Sequence, residues 1–205
     1  MLRFGKEVAA VTTVALAALL PVLALYFTAT PSDDLAASPL PTAVVSDAVP
    51  LFDRDHVSDD VLWLARCIYS ETKKGDEQEL VAWVIRNRVE TGYRGQYTYE
   101  GAVLDPYQFS AFNPGSSKRR LYTTLTAHSN SNSFSSALRI AHRVYYAPSA
   151  ERPFPATTRH FYSERSMVGG RTPAWAEGER PVKPVKHEID PRRFRFYSGL
   201  ASVML

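Results

Sequence analysis

The chain has 205 residues, of which 45% are apolar and 22% charged, and its formal net charge is +3. This length and apolar content suit one globular domain with an additional segment, and they exclude a wholly disordered chain and a multi-span membrane protein. The single cysteine excludes a disulfide framework within the chain and a structural zinc site built on several cysteines.

Charge is unevenly distributed along the chain. Residues 51–117 carry 7 Lys/Arg against 11 Asp/Glu, whereas residues 118–205 carry 15 against 6. The basic C-terminal part favours an anionic or mixed-charge polymer as the partner, and the alternative is an ordinary solvated basic surface.

The first segment is an uncharged apolar stretch. No charged residue occurs within residues 8–32, where Ala, Leu and Val dominate, and about 20 such residues span a bilayer as a helix. Arg3 and Lys6 precede the stretch, while Asp33 and Asp34 follow it. The positive-inside rule therefore predicts a cytoplasmic N-terminus, with everything after the stretch outside the membrane.

A cleaved signal peptide is the alternative for the same segment. The best cleavage position follows Ala29 and places Phe27 at position −3, where cleavage needs a small residue. We therefore expect residues 1–29 to be a retained single-pass anchor rather than a signal segment. Residues 30–52 are rich in Pro, Ala and Ser and predict a flexible linker, which leaves residues 53–205 as an extracytoplasmic domain.

The domain is expected to begin with a helix that leads to an acidic residue. Ser58 is placed to cap it, and Val61, Leu64 and Ile68 recur at helical spacing. Three residues further on the same face stands Glu71, in the last turn. Desolvation and the negative end of the helix dipole both raise a carboxyl pKa, and a general acid must stay protonated near neutral pH. Glu71 is therefore the candidate catalytic acid, and a surface carboxylate at a frayed helix end is the structural alternative.

Two further helices and two strands follow. Asp76 is placed to cap the second helix, which runs to Gly92 and carries Asn87 on its buried face. The role expected for Asn87 is a structural one, tying down a loop, and the alternative is that it orients Glu71. Ser133 is placed to cap the third helix, which Pro148 ends.

Residues 93–115 are aromatic, polar and turn-rich, which is typical of a sugar-facing cleft wall and equally of a long surface loop. Residues 159–163 and 193–197 have the pattern of short strands. The predicted fold class is α+β, with the helices first.

Several short motifs occur in a characteristic order. The N-terminal half contains LARCIYSE at 64–71, NRV at 87–89 and QFS at 108–110; the C-terminal half contains HFY at 160–162, PAW at 173–175, His187 and FY at 196–197. This order resembles that of the SleB-type cell wall hydrolases, the family of the spore-cortex lytic enzymes. Their typical motifs are A-R-x-I-Y-G-E, N-x-V-x-N-R-V and Q-F-S. The resemblance covers roughly residues 60–198.

The resemblance implies a lysozyme-like fold, with a helical core and a small β-region around a long groove. It implies cleavage of the MurNAc–GlcNAc bond of peptidoglycan by one catalytic glutamate, which maps onto Glu71, without metal or cofactor. Two departures bear on substrate preference. Ser70 replaces the usual Gly before the glutamate, and Lys73 and Lys74 stand where the family tends to have a small, acidic-flanked turn.

The candidates for holding the glycan combine aromatic faces with amide, imidazole and hydroxyl groups. They are Tyr69, Gln108, Phe109, Ser110, Asn113, His160, Tyr162 and Trp175. For Tyr69 and Trp175 the competing interpretation is a buried aromatic core.

The number of carboxylates separates two mechanisms. A muramidase-type hydrolase needs a second Asp or Glu about 5 to 9.5 Å from the first. Asp105 is the best such residue and Glu100 the next, and both stand in loop-like sequence. We therefore favour a lytic transglycosylase, in which one glutamate acts alone, and keep the hydrolase as the alternative.

Other functional classes have weaker support. The five histidines form no HExxH pair, which disfavours a zinc amidase or endopeptidase, and Cys67 lies within an apolar helix, which disfavours a cysteine peptidase. A membrane-tethered protein that binds peptidoglycan without cutting it remains open. Scattered basic residues on an outer domain disfavour nucleic acid. The expected partners are peptidoglycan strands and, through the N-terminal helix, a membrane, which is viral if the chain is phage-encoded.

Overall fold

The computed structural model describes residues 49–200. The predicted anchor and most of the predicted linker lie outside these residues. The described part contains five α-helices and one antiparallel pair of strands, which confirms the α+β class. The helices are α1 Asp59–Glu71, α2 Gly75–Glu90, α3 Tyr99–Leu104, α4 Arg119–Thr123 and α5 Asn132–Tyr146; the strands are β1 Thr158–Tyr162 and β2 Arg195–Ser198. In residues 49–200, no helix combines the length and apolarity needed to cross a bilayer.

Helix α1 follows the sequence prediction closely. The Ser58 hydroxyl accepts a hydrogen bond from the Val61 amide at 3.4 Å, and the predicted apolar face is fully buried. The helix ends at Glu71 because Thr72 is extended, with φ −157°. The Thr72 amide still donates to the Ile68 carbonyl, so the last turn is closed.

Helix α2 begins at Gly75 with Lys74 at the cap position, two residues earlier than predicted, so the prediction that Asp76 caps it is wrong. Thr72 organises this turn instead. Its hydroxyl accepts from the Lys74 amide at 3.2 Å, and its carbonyl accepts from the Gln78 side chain at 2.8 Å. Asp76 lies in the first turn, where a negative charge complements the helix dipole.

The end of α2 lies where the sequence predicts it, whereas the start of α5 does not. Gly92 is left-handed, with φ 58°, and ends the α2 region as predicted. The cap of α5 is Ser131 rather than Ser133, and its hydroxyl accepts from the Phe134 amide at 3.2 Å. Ser133 lies within the helix instead, and its hydroxyl is 3.4 Å from that of Tyr69.

The segment 93–115 is more ordered than a surface loop. Thr98 caps α3 by accepting from the Gly101 amide, and Ala102 and Val103 are buried against the other helices. A short 3-10 turn follows at Ser110–Phe112. The polar residues of this segment are therefore positioned by α3 and the 3-10 turn.

The core lies between α1, α2 and α5, and β1 packs against α2. The strands pair with Phe161 opposite Phe196 and have an irregularity near the start of β1. Asn87 connects α2 to the start of β1, because its side-chain amide donates to the carbonyls of Thr158 at 2.9 Å and Pro155 at 3.3 Å. Asn87 therefore has the structural role predicted for it.

Candidate active site

Glu71 opens onto a groove of about 480 Å³. Apart from Glu71 itself, the lining comes from three parts of the chain, at residues 107–113, 161–167 and 193–194. The groove is thus built where the end of α1 meets the turn after α3, the end of β1 and the approach to β2.

Four of the eight predicted glycan-binding residues line this groove together with Glu71. They are Gln108, Ser110, Asn113 and Tyr162. The Asn113 side-chain oxygen accepts a hydrogen bond from the Tyr107 backbone amide at 2.8 Å. The Asn113 side chain therefore also fixes the turn that carries Gln108. The Tyr162 ring stacks on Tyr197 with centroids 6.0 Å apart, which orients its ring at the groove edge.

Three of the remaining predicted residues support the groove from behind. Phe109 is 2% exposed and packs against Phe161, with ring centroids 6.3 Å apart. His160 lies beside Tyr93, whose hydroxyl is 2.8 Å from Nε2. Trp175 packs on His160 and, edge to face, on Tyr162. These rings hold the groove residues in place and are not among its lining.

Tyr69 lies on an adjoining surface rather than in the groove. Its ring meets Tyr122 edge to face at 6.0 Å, and Lys73 Nζ lies 3.2 Å from its centroid. Glu71 contributes to raising the pKa of Tyr122, after burial and Tyr69. This aromatic surface therefore adjoins the candidate acid.

The electrostatics of Glu71 suit a proton donor. Burial of its carboxyl group raises the pKa to about 7 from an ordinary value of 4.5, against opposing contributions from Arg88 and Ser70. Near neutral pH the group is therefore present in both protonation states. Glu71 is also the single acidic residue among the described residues that line the groove.

The proposed second carboxylates occupy other positions. Asp105 accepts a hydrogen bond from Arg94 Nε at 2.6 Å, its side chain is 9% exposed, and it is not part of the groove lining. Glu100 is an exposed residue in the first turn of α3. The structure therefore does not bring either of them to the groove with Glu71.

Two arginines that were not predicted from the sequence, Arg165 and Arg193, line the groove. Arg193 donates to the buried Glu77, with Nη2 at 2.7 Å, and Arg165 donates to Asp190 at 2.7 Å. Their only sequence signal was the basic C-terminal part of the chain, which does not say which cations meet at one place.

Tyr107 and Arg88 were also missed. Tyr107 is 72% exposed on the groove rim and has φ 64°, a conformation that costs energy in a residue other than glycine. Arg88 is 5% exposed behind the groove and lowers the pKa of Glu71. A signal for Arg88 was present, because it belongs to the NRV motif.

The structure also bears on the competing chemistries. Residues 49–200 contain no group of three or more His, Cys, Asp or Glu side chains that could hold a metal ion. Cys67 is fully buried, and burial raises the pKa of its thiol well above the ordinary value. The thiolate that a cysteine peptidase requires is therefore strongly disfavoured.

The chain was compared with protein-family models, curated proteins and solved structures, and no significant match was found.

Proposed function

We propose that the domain is a peptidoglycan-cleaving enzyme that cuts the MurNAc–GlcNAc bond as a lytic transglycosylase, with Glu71 as its acid and base. The observation that carries the proposal is one half-buried carboxyl group, with a pKa of about 7, on a groove lined by amides, hydroxyls and aromatic rings. Such a lining suits a sugar polymer, because hydroxyls are bound by amides and sugar faces stack on rings.

In the proposed reaction Glu71 is first an acid and then a base. Its proton passes to the glycosidic oxygen while the bond from that oxygen to C1 of MurNAc breaks. The resulting carboxylate removes the proton of the C6 hydroxyl, whose oxygen bonds to C1 and closes a 1,6-anhydro ring. Glu71 thereby recovers its proton, and no water is consumed.

The surroundings of Glu71 favour this route over hydrolysis. A two-carboxylate hydrolase needs a nucleophile or base about 5 to 9.5 Å from the acid. Asp105 is held by Arg94 away from the groove lining, so it is poorly placed for that role. Gln108, Ser110, Asn113 and Tyr162 are the proposed contacts for the glycan.

The finer fold and the location belong to the same proposal. A glutamate at the end of a core helix, facing a groove beside a small sheet, is the arrangement expected of a lysozyme-like fold. The apolar stretch within residues 8–32 would tether the domain on the outer side of a membrane, where peptidoglycan is found.

Digestion of purified sacculi tests the proposal. Mass spectrometry of the products is expected to show muropeptides with 1,6-anhydro-MurNAc ends. Reducing MurNAc ends would instead identify a hydrolase, and freed peptides would identify an amidase. Binding to sacculi without any released product would leave a tethered glycan-binding protein.

A further inference from the structure

Arg88 is a buried cation without a matching anion. It lies on α2, is 5% exposed, and donates from Nε to the Arg159 carbonyl at 2.7 Å. Its Nη1 is buried and has no hydrogen-bond partner, and within residues 49–200 no carboxylate lies within ion-pair distance of it. Burying an unpaired charge costs several kcal/mol, which raises the question of what it serves.

The immediate surroundings of the guanidinium group are aromatic. Its central carbon lies 5.1 Å from the ring centroid of Phe109 and 5.4 Å from that of Tyr93. Phe109 stands between Gln108 and Ser110, both of which line the groove. Arg88 therefore packs on a ring whose two neighbours in the chain line the groove, and its charge also acts on Glu71.

The other titratable groups around Arg88 do not neutralise it. Asp105 is already paired with Arg94, and Cys67 remains a thiol. Burial, Arg88 and Arg159 together lower the pKa of His160 to about 4, so the imidazole is neutral at physiological pH.

Two phenols complete these surroundings. Tyr93 faces Arg88 with its ring, and burial raises the pKa of Tyr122, which faces Glu71 from α4. Among all these groups, Glu71 is the one expected to change charge near neutral pH.

We propose that Arg88 is a positioning residue for Glu71, whose buried guanidinium group stabilises the carboxylate formed when Glu71 gives its proton to the glycosidic oxygen. The catalytic part of this proposal rests on the proposed function. The electrostatic interaction between Arg88 and Glu71 is independent of the proposed function, because it can be measured without substrate.

The proposal explains how one carboxyl group serves two opposite steps. Burial alone favours the protonated form, which suits the acid step but makes the ensuing carboxylate costly. A nearby cation lowers the cost of forming the carboxylate when the protein fixes its position and excludes water from it. The same carboxylate can then take the C6 hydroxyl proton and return to its starting state.

The test compares the buried Arg88 with its partly buried neighbour Arg159. Arg88→Met removes the cation close to Glu71, and Arg159→Met is the matched control, because Arg159 acts on His160 but has no resolved effect on Glu71. In a carbon-13 NMR titration, the midpoint of the Glu71 carboxyl group is expected to shift to higher pH by about one unit or more in Arg88→Met. It is expected to stay in place in Arg159→Met.

Kinetics supply a second measurement on the same variants. In Arg88→Met, kcat at pH 7 is expected to fall about tenfold or more with little change in KM, since the lost stabilisation concerns a state after binding. The alkaline limb of the pH–rate profile should shift to higher pH by the same amount as the Glu71 midpoint. Arg88→Lys should recover part of both effects because it restores the charge.

Nitrogen-15 NMR of the Arg88 side chain needs no substitution at Arg88. In the unaltered protein its signals should shift with a midpoint near that of Glu71, and this transition should vanish in Glu71→Gln. An unchanged Glu71 titration in folded Arg88→Met overturns the proposal. If that variant does not fold, the absence of a Glu71-dependent transition at Arg88 overturns it. An unaltered protein that lyses no sacculi would instead refute the proposed function, with both titrations still interpretable.

Discussion

At the scale of single residues, the position of Glu71 makes its charge costly. It is the last residue of α1, where the helix dipole is negative, and it is half-buried on the groove. The shift of its pKa to about 7 therefore has two measurable consequences, one for activity and one for stability.

The first consequence concerns catalysis. Glu71→Gln removes the transferable proton with almost no change in shape, and muropeptide release is expected to fall by roughly 10²- to 10⁴-fold, the usual contribution of general acid–base catalysis. Release from sacculi is the measurement, and circular dichroism checks the fold. Glu100→Gln is the matched control, because Glu100 is exposed on α3. Equal activity of Glu71→Gln and the unaltered protein would remove Glu71 from the reaction.

The second consequence concerns stability against pH. The folded pKa of about 7 exceeds the ordinary 4.5, so between these values the native state binds more protons than the unfolded state. Stability is therefore lost as the pH rises through this window. Glu71→Gln should be more stable than the unaltered protein by about 3 kcal/mol at pH 8.

Denaturant titrations at several pH values measure this difference. It should close towards pH 4, where Glu71 is protonated in both states. A difference that is constant with pH would show that Glu71 titrates normally.

At the scale of secondary-structure elements, α5 shows how a cap is selected. The run of Ser and Asn before it offers several capping residues, and the structure uses Ser131. Ser131→Ala should lower the free energy of unfolding by about 1 kcal/mol. Ser133→Ala should cost less than about half of that, since its hydroxyl makes only the longer contacts of 3.3 and 3.4 Å. Chemical denaturation of both variants decides between the two caps, and a larger loss for Ser133→Ala would restore the sequence prediction.

At the scale of the whole domain, Glu77 and Arg193 join distant parts of the chain. Glu77 lies in the first turn of α2, and Arg193 precedes β2 and lines the groove. Glu77 is 4% exposed, and its carboxylate also accepts from the Thr72 hydroxyl at 2.5 Å. Burial raises its pKa, but the hydrogen bonds from Arg193 and Thr72 outweigh burial and lower it overall.

Loss of Arg193 would leave this buried carboxylate with the more distant Lys74 as its cation, whose exposed ammonium group lies 3.9 Å from Oε1. Arg193→Met should therefore lower the free energy of unfolding by roughly 3 kcal/mol at pH 7. Because the folded pKa of Glu77 lies below its ordinary value, the unaltered protein holds this stability above pH 4.5 and loses it as the pH falls further. Thermal or denaturant unfolding from pH 3 to 7 measures both effects. Arg192→Met is the exposed neighbouring control, and equal losses for the two variants would contradict this account.

The groove wall depends on the same ion pair. Arg193 and Phe194 line the groove on one side, and Phe194 packs on Phe161, with centroids 5.6 Å apart. The ion pair links Glu77 and Arg193, which are 116 positions apart in the chain. Local sequence patterns carry no information about such a pairing.

The sequence by itself determined the features that depend on neighbouring residues. The Ser58 cap, the apolar face of α1, the place of Glu71 at its end and the Gly92 termination all follow from spacing and backbone preference over a few residues. The two strands and the structural role of Asn87 were also predictable, from residue pattern and from the need of a buried amide for partners.

Only the tertiary structure decided which distant groups meet. It brought Gln108, Ser110, Asn113 and Tyr162 to Glu71, while Phe109 went to the core. Cap choice among adjacent serines likewise depended on where the chain enters the packed helix. The physical reason is that burial and charge pairing are set by contacts between segments far apart in the chain, and these contacts determine the cost of each charge.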